Sequence, residues 1–348
     1  MQTPETTCPP RARSHRVIHR FRVMSVDVGI LGFVEGGTVL EWIDRTAYAA
    51  AAQWCGRQCV TASVGNLHLH RPIGVGDLVE VHASVDYTGS SSMHVLVTVY
   101  ASDPTGMKVA QISQCPIIFV AVDDGGNPVE VPRWTPVTML ELQRQRQARV
   151  RIRMRKRIEG AMAAEDYTVG GTAPHATLRV RATPADVDSG GMVCAGRVMR
   201  WFDEASHDSG IDWTGAEVIT SYVAGIRFCR PIVVGDVVEV TARIVHTGPR
   251  SIHTGVQVSS TEVPGTRPRL VARGLIVVVS PDDRGAARPV PTWEPASDED
   301  RRLDRHARHL IALREFIEPF TNATALPMRG PGTRDRRPAL ATAPTRHT

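Results

Sequence analysis

The chain has 348 residues, enough for two or three ordinary domains, and its 42% hydrophobic and 22% charged residues are those of a folded, water-soluble protein. No apolar run is long enough to span a bilayer, so no membrane span is expected. The net charge of +5 is carried almost wholly by arginine, since Lys108 and Lys156 are the only lysines. The basic stretches at 144–157 and after 328 lack interleaved aromatics, so no nucleic-acid partner is expected.

In chain order, residues 1–14 read as a disordered leader, basic but without the apolar core of a secretory signal. An extended segment at 16–23 leads through a loop into a helix over 36–54, where Leu40, Ile43, Ala47, Ala50 and Trp54 fall at helical spacing. Four alternating strands follow: "CVTASVGNLHL", "LVEVHASVDYT", "MHVLVTVYAS" and "KVAQISQCPIIFVAV". A charged helical linker occupies 136–173. Sliding the chain by 159 residues then lays "RPIGVGDLVEV" (71–81) on "RPIVVGDVVEV" (230–240) and pairs all six tryptophans: Trp42 with Trp201, Trp54 with Trp213, Trp134 with Trp293. The register needs no gap, so the chain is a tandem duplication. The second copy places an extended segment at 177–182 and a helix at 195–213. The domains are therefore 15–135 and 174–295, followed by a helix at 296–317 with Ser297 as its N-cap and a Pro/Thr/Arg-rich tail, 318–348, expected to be disordered. The six cysteines form no pattern beyond the C-x3-C pair Cys55 and Cys59, which predicts reduced thiols in a cytoplasmic protein.

Each helix opens on small residues, Gly36-Gly37 and Ala195-Gly196, and carries an aspartate, Asp44 or Asp203, two turns on among apolar neighbours. Unpaired N–H groups and the positive dipole end at a helix start can hold an oxyanion, and glycine lets a ligand approach closely; tight packing against the sheet is the other reading. A carboxylate on an apolar helix face is costly if buried unpaired. It could be a general base, or it could be hydrogen-bonded to a loop or paired with an arginine across the interface. His207, four residues after Asp203, forms a dyad with it or a local pair.

The glycine-opened helix ending in aspartate, the "VTxxVxxLxxxRPIxVGD" strand pair, the "TG-x-S-S" turn and the "FVAVDxxGxPxxVP" close resemble the hotdog-fold acyl-CoA thioesterases, and the tandem arrangement is similar to the double-hotdog acyl-CoA hydrolases. The resemblance covers 15–135 and 174–292. It implies an α+β fold of two tandem hotdogs, each a long helix wrapped by an antiparallel sheet, paired sheet edge to sheet edge. It further implies a fatty acyl-CoA substrate, hydrolysis by Asp-activated water, no metal or redox cofactor, and a homotrimer. Each site would be shared: Gly36 and Gly37 with Asp203, and Gly196 with Asp44. The first of these is preferred, because its opening keeps both glycines. Glu35 is a substitute acid or base, or a favourable first-turn carboxylate. Thr61 and Thr220 donate to the ligand or merely suit a strand, while Arg71, Arg230, Ser92, Arg250 and Ser251 could meet the phosphates or adenine of CoA. Phe33 and Met192 stand where relatives usually carry Asn or Asp. That departure keeps open a non-catalytic acyl-CoA-binding protein; an enoyl-acyl hydratase or dehydratase is a further alternative, although its "D-x-N-P-x-H"-like segment is missing. Cys194 is a nucleophile or a small buried residue.

Overall fold

The structure is a computed structural model and describes residues 14–322 apart from 168–169, 189, 263–266 and 283–284. Residues 1–13 of the expected leader (1–14) and 323–348 of the expected tail (318–348) lie outside the described residues. Copy one comprises β1 (Arg16–Arg22), α1 (Gly36–Cys55), β2 (Cys59–Val64), β3 (Leu67–His68), β4 (Leu78–Thr88), β5 (Ser92–Ser102) and β6 (Val109–Ala121). Next come α2 (Met139–Ala163), then β7 (His175–Arg181), α3 (Ala195–Thr214), β8 (Ile219–Phe228), β9 (Val237–Thr247), β10 (Ile252–Thr261), β11 (Arg269–Val279) and α4 (Asp298–Asn322). α4 thus runs past the end expected at 317.

The eleven strands among the described residues join one antiparallel sheet, ten of them in the order β1-β4-β5-β6-β2-β8-β11-β10-β9-β7 and β3 off this path against β8. The copies meet at β2 and β8, with Ser63 opposite Arg227 and Val64 opposite Ile226. The stretch read from sequence as one strand, 59–69, is in fact two. It bends at Gly65, where a Cβ would lie 2.6 Å from Pro116 Cγ, and β3 then pairs across the copies, Leu67 with Val223 and His68 with Tyr222. The bend lets copy one hold copy two through two short ladders.

α1 and α3 lie on the inner face. Leu40, Ile43, Ala47 and Ala50 of α1 and Met199, Phe202 and Ala205 of α3 are fully buried, each large apolar side chain contributing roughly 1.5–3 kcal/mol. Both helices stop at a glycine in the left-handed region, Gly56 (φ 69°) and Gly215 (φ 66°), whose N–H groups close the last turn onto Ala52 and Ile211. α1 and α3 also touch each other, and glycine is needed there. A Cβ on Gly37 would lie 3.1 Å from Arg200 Cα, and one on Gly196 would lie 3.0 Å from Glu41 Cα.

On the outer face, α2 opens with a capping box in which Glu141 N donates to Thr138 Oγ1 (3.2 Å) and Thr138 N donates to Glu141 Oε2 (3.1 Å). α4 opens the same way, with Asp300 N donating to the expected cap, Ser297 (3.0 Å). Among the described residues no helix is long and apolar enough to cross a membrane.

Candidate active site

The contact between α1 and α3 brings each aspartate to the other copy's helix opening. Gly37 N donates to Asp203 Oδ2 (2.7 Å), and Gly196 N donates to Asp44 Oδ2 (2.8 Å). Both carboxylates are buried, at 2% and 6% exposure. Each takes a second hydrogen bond from the threonine of its own copy's central strand: Thr220 Oγ1 to Asp203 Oδ1, and Thr61 Oγ1 to Asp44 Oδ1 at 3.2 Å. A helix N-terminus is a favourable place for a carboxylate, because its N–H groups are unpaired and the dipole is positive there. The helix openings therefore serve the aspartates directly. The Gly37 and Gly196 N–H groups, expected to face a ligand, are occupied by carboxylate.

At the Asp203 end, His207 Nε2 lies 3.7 Å from Asp203 Oδ1 and 3.3 Å from Thr220 Oγ1. A cavity of about 270 Å³ opens here, walled among others by Phe33, Glu35, Gly36, Arg71, His207 and Thr220. Gly36 is tightly enclosed: a Cβ would lie 2.8 Å from both Asp203 Oδ1 and Thr220 Cβ. Glu35, the residue just before α1, has Oε2 3.7 Å from the Arg200 guanidinium, which also meets Glu41 (3.4 Å) and Glu204 (3.2 Å).

At the Asp44 end, burial pushes the carboxyl up to about 6. The Gly196 N–H and Thr61 hydroxyl pull against that shift, and the charges of Asp188 and Glu41 add to it. Ala195 replaces the first glycine. Gln58 packs against Gly190 so tightly that a Cβ there would overlap its carboxamide. Cys194 stands at the N-cap position of α3 without a side-chain hydrogen bond to the helix, and burial together with the nearby Asp44 pushes its thiol up to about 11, away from thiolate character.

The remaining expected contacts are dispersed. Arg71 lines the cavity and its guanidinium reaches Ala101 O (3.4 Å), whereas Arg230 is exposed beyond β8. Ser92 lies at the β4–β5 hairpin. Arg250 and Ser251 lie at the β9–β10 hairpin, where Ser251 Oγ meets His253 Nε2 (3.2 Å). No hydrogen bond joins these hairpin residues to either glycine–aspartate pair among the described residues. Sequence reasoning missed Asp188, Gln58 and Arg200. The 159-residue register could have pointed to Asp188, which stands opposite Gly29 and puts an extra charge beside only one of the two sites.

The sequence model of the thioesterase superfamily matches residues 31–108 and 190–264, once in each copy. The chain is 35% identical over 143 residues to YkhA of Bacillus subtilis, an uncharacterized acyl-CoA thioester hydrolase, covering 41% of this chain and 81% of that one. It is 24% identical over 301 residues to the human cytosolic acyl coenzyme A thioester hydrolase, covering 79% of this chain and 77% of that one. Among solved structures, a putative oleoyl thioesterase of Lactobacillus plantarum covers 78% of this chain and 99% of its own with a TM-score of 0.54 at 11% identity, a likeness of fold alone. With a helix and wrapping sheet in each copy and a family match in each, the chain belongs to the thioesterase superfamily of hydrolases as a tandem double hotdog.

Proposed function

We propose that the protein hydrolyses fatty acyl-CoA to the free acid and coenzyme A, chiefly at the Asp203 site. The observation that carries this reading is the buried Asp203 carboxylate, held by the Gly37 N–H and the Thr220 hydroxyl, with Thr220 and Gly36 in the wall of a cavity lined by both apolar and polar side chains. In this mechanism a water lies between Asp203 and the thioester carbonyl carbon. Asp203 removes its proton as the C–O bond forms, acting as general base. The carbonyl oxygen becomes an oxyanion next to the Gly36 N–H at the positive end of α1, since the neighbouring Gly37 N–H already orients the base. Collapse of the intermediate breaks the C–S bond, and the sulfur of coenzyme A leaves with the proton taken from water. Water is the sole co-reactant, so we propose that no metal or redox cofactor takes part.

The names of the B. subtilis and human relatives support the acyl-CoA substrate, and the human name supports a cytoplasmic location. We also propose the trimer of double hotdogs implied by the resemblance. Phe33 favours a second reading. Its ring lines the cavity where relatives carry a polar group, which suits a protein that binds acyl-CoA without cleaving it. Thiol release from a panel of acyl-CoA chain lengths separates the two. Turnover with a preferred chain length is expected; binding without thiol release at any length would establish the second reading instead.

A further inference from the structure

A second cavity, of about 300 Å³, lies on the outer face of the sheet where β2 and β8 join and α2 crosses above them. That volume is at the small end of ligand pockets. It is separated from the glycine–aspartate pairs by the sheet, although His70 lines both cavities. The stripe of α2 that lines it is Ala148, Arg151, Ile152, Arg155, Ile158 and Met162, at helical spacing. α2 buries only Glu141, Ala148 and Met162, too little apolar bulk to fill the space beneath it.

The same place in copy two is nearly filled: a space of only about 30 Å³ remains there, bounded by Tyr222, His253, Leu310, Ile311 and Arg314. Tyr167 covers Gly255 so closely that a Cβ would lie 2.7 Å from its ring, and Leu303, Ala307 and Leu310 of α4 close a small core there with Val245. In copy one the counterparts of Val245 and Leu310 are Asp86 and Arg151, an ion pair at 3.3 Å. Copy one has thus replaced packing with charge around an open space.

The charge is unbalanced. Arg151, Arg155, Arg227, Arg273 and Arg314 line the cavity against one acid, Glu159. Asp86 answers Arg151, Glu159 answers Arg155 (3.3 Å), and Asp166 answers Arg273 (3.2 Å). Arg227 and Arg314 have no acidic partner among the described residues, and the Arg314 guanidinium lies 4.1 Å from the centre of the Tyr222 ring. The Nε groups of Arg155 and Arg314 are buried without an acceptor, a situation that ordinarily costs about 1–3 kcal/mol per group. His94 beside them is kept neutral, driven down to about 3 by burial and by Arg155 and Arg151. The other walls include Leu96, Pro116, Ile118, Ile152, Ile158 and Met162. A compact, highly charged anion would gain nothing from those walls, whereas an amphiphile with one anionic head would use both features.

We propose that this cavity binds a fatty-acid anion, with its carboxylate on Arg227 and Arg314 and its chain between α2 and the sheet. Binding there requires no turnover, so it stands independently of the catalytic reading. A diazirine-bearing dodecanoate, photolysed with the full-length protein and mapped by peptide mass spectrometry, tests it. The expected label falls on α2 and on the outer faces of β5 and β6, and is displaced by plain dodecanoate. The double variant Arg227→Ala/Arg314→Ala should lower that labelling by about tenfold. Ile152→Trp, which fills the cavity without touching the charges, should lower it similarly, and thermal unfolding of both variants confirms that they fold. Label confined to residues 29–39, or label on α2 that survives Ile152→Trp, would overturn the proposal. So would displacement by ADP with none by dodecanoate, which would assign the cavity to nucleotides. Failure to hydrolyse acyl-CoA leaves this labelling unchanged, so the two readings fail separately.

Discussion

At one end of the contact between α1 and α3, Asp203 accepts the Gly37 N–H with an open cavity alongside; at the other, Asp44 accepts the Gly196 N–H with Gln58 packed against the adjoining loop. The backbone framework is the same at both ends, because the duplication supplies each helix with a glycine opening and each central strand with a threonine. The surroundings differ. Gly36 becomes Ala195, the companion of Asp203 is His207 while copy one has Tyr48 at that place, and Asp188 adds negative charge near Asp44 alone. The close approach of two helices through glycine is therefore preserved by packing. The chemistry proposed for each end is free to diverge, because it depends on side chains such as His207 and Asp188 that lie outside the glycine contact between the helices.

The largest expected effect breaks the comparison outright. Asp203→Ala should reduce turnover of the best acyl-CoA substrate by a hundredfold to ten-thousandfold, on the order of what a positioned general base contributes. Asp44→Ala should leave most of the rate in place. Equal losses in the two variants, read from initial rates of thiol release, would show that the ends work as a unit or are equivalent. Next in size, Gly36→Ala gives the Asp203 end the methyl group that copy two already carries. With 2.8 Å to both Asp203 Oδ1 and Thr220 Cβ, that methyl must displace the base, and kcat should fall by roughly tenfold to a hundredfold. An unchanged kcat would mean that the base does not act from its present position.

The smallest effect concerns pH and sharpens the difference. The folded Asp44 carboxyl titrates near 6 against 3.8 for the ordinary group, because burial favours its neutral form. The folded chain therefore holds this proton more tightly than the unfolded one. The resulting advantage is complete below about pH 4 and is lost as pH rises through 6, a change of roughly 3 kcal/mol. Asp44→Asn, which mimics the protonated form, should flatten that part of the stability profile in urea unfolding between pH 4 and 7. In an Asp203→Ala background the residual activity should rise through about pH 6, as Asp44 ionises and becomes able to act as a base. Residual activity that falls over that range would exclude Asp44 from the role.

Much of the architecture could be read directly from the residues. The helices at 36–54 and 195–213 were visible from apolar spacing, and Gly56 and Gly215 end them one residue beyond Cys55 and Thr214. The strands from 78 onward followed their alternation. The break at Gly65 escaped although Gly65-Asn66 is itself a turn signal, because the apolar run on either side reads as one strand; Pro116 of the neighbouring strand lies against it. The cross-pairing of glycines and aspartates was expected only through the resemblance, since periodicity within one copy says nothing about the other. Even so, the N–H groups of Gly37 and Gly196 hold carboxylates, and the threonines Thr61 and Thr220 bond to those same carboxylates.

By itself the sequence determined the duplication, the helix and strand of each copy and the anomalous aspartates, because helical and strand periods and an ungapped register are properties of the chain alone. Only the tertiary structure decided which residues wall the cavity at the Asp203 end, how Gln58 packs at the other, and where the arginines of α2 converge. Those outcomes depend on how Gln58, Tyr167 and α2 fill space against residues far away in the chain, and volume is a property of the packed molecule.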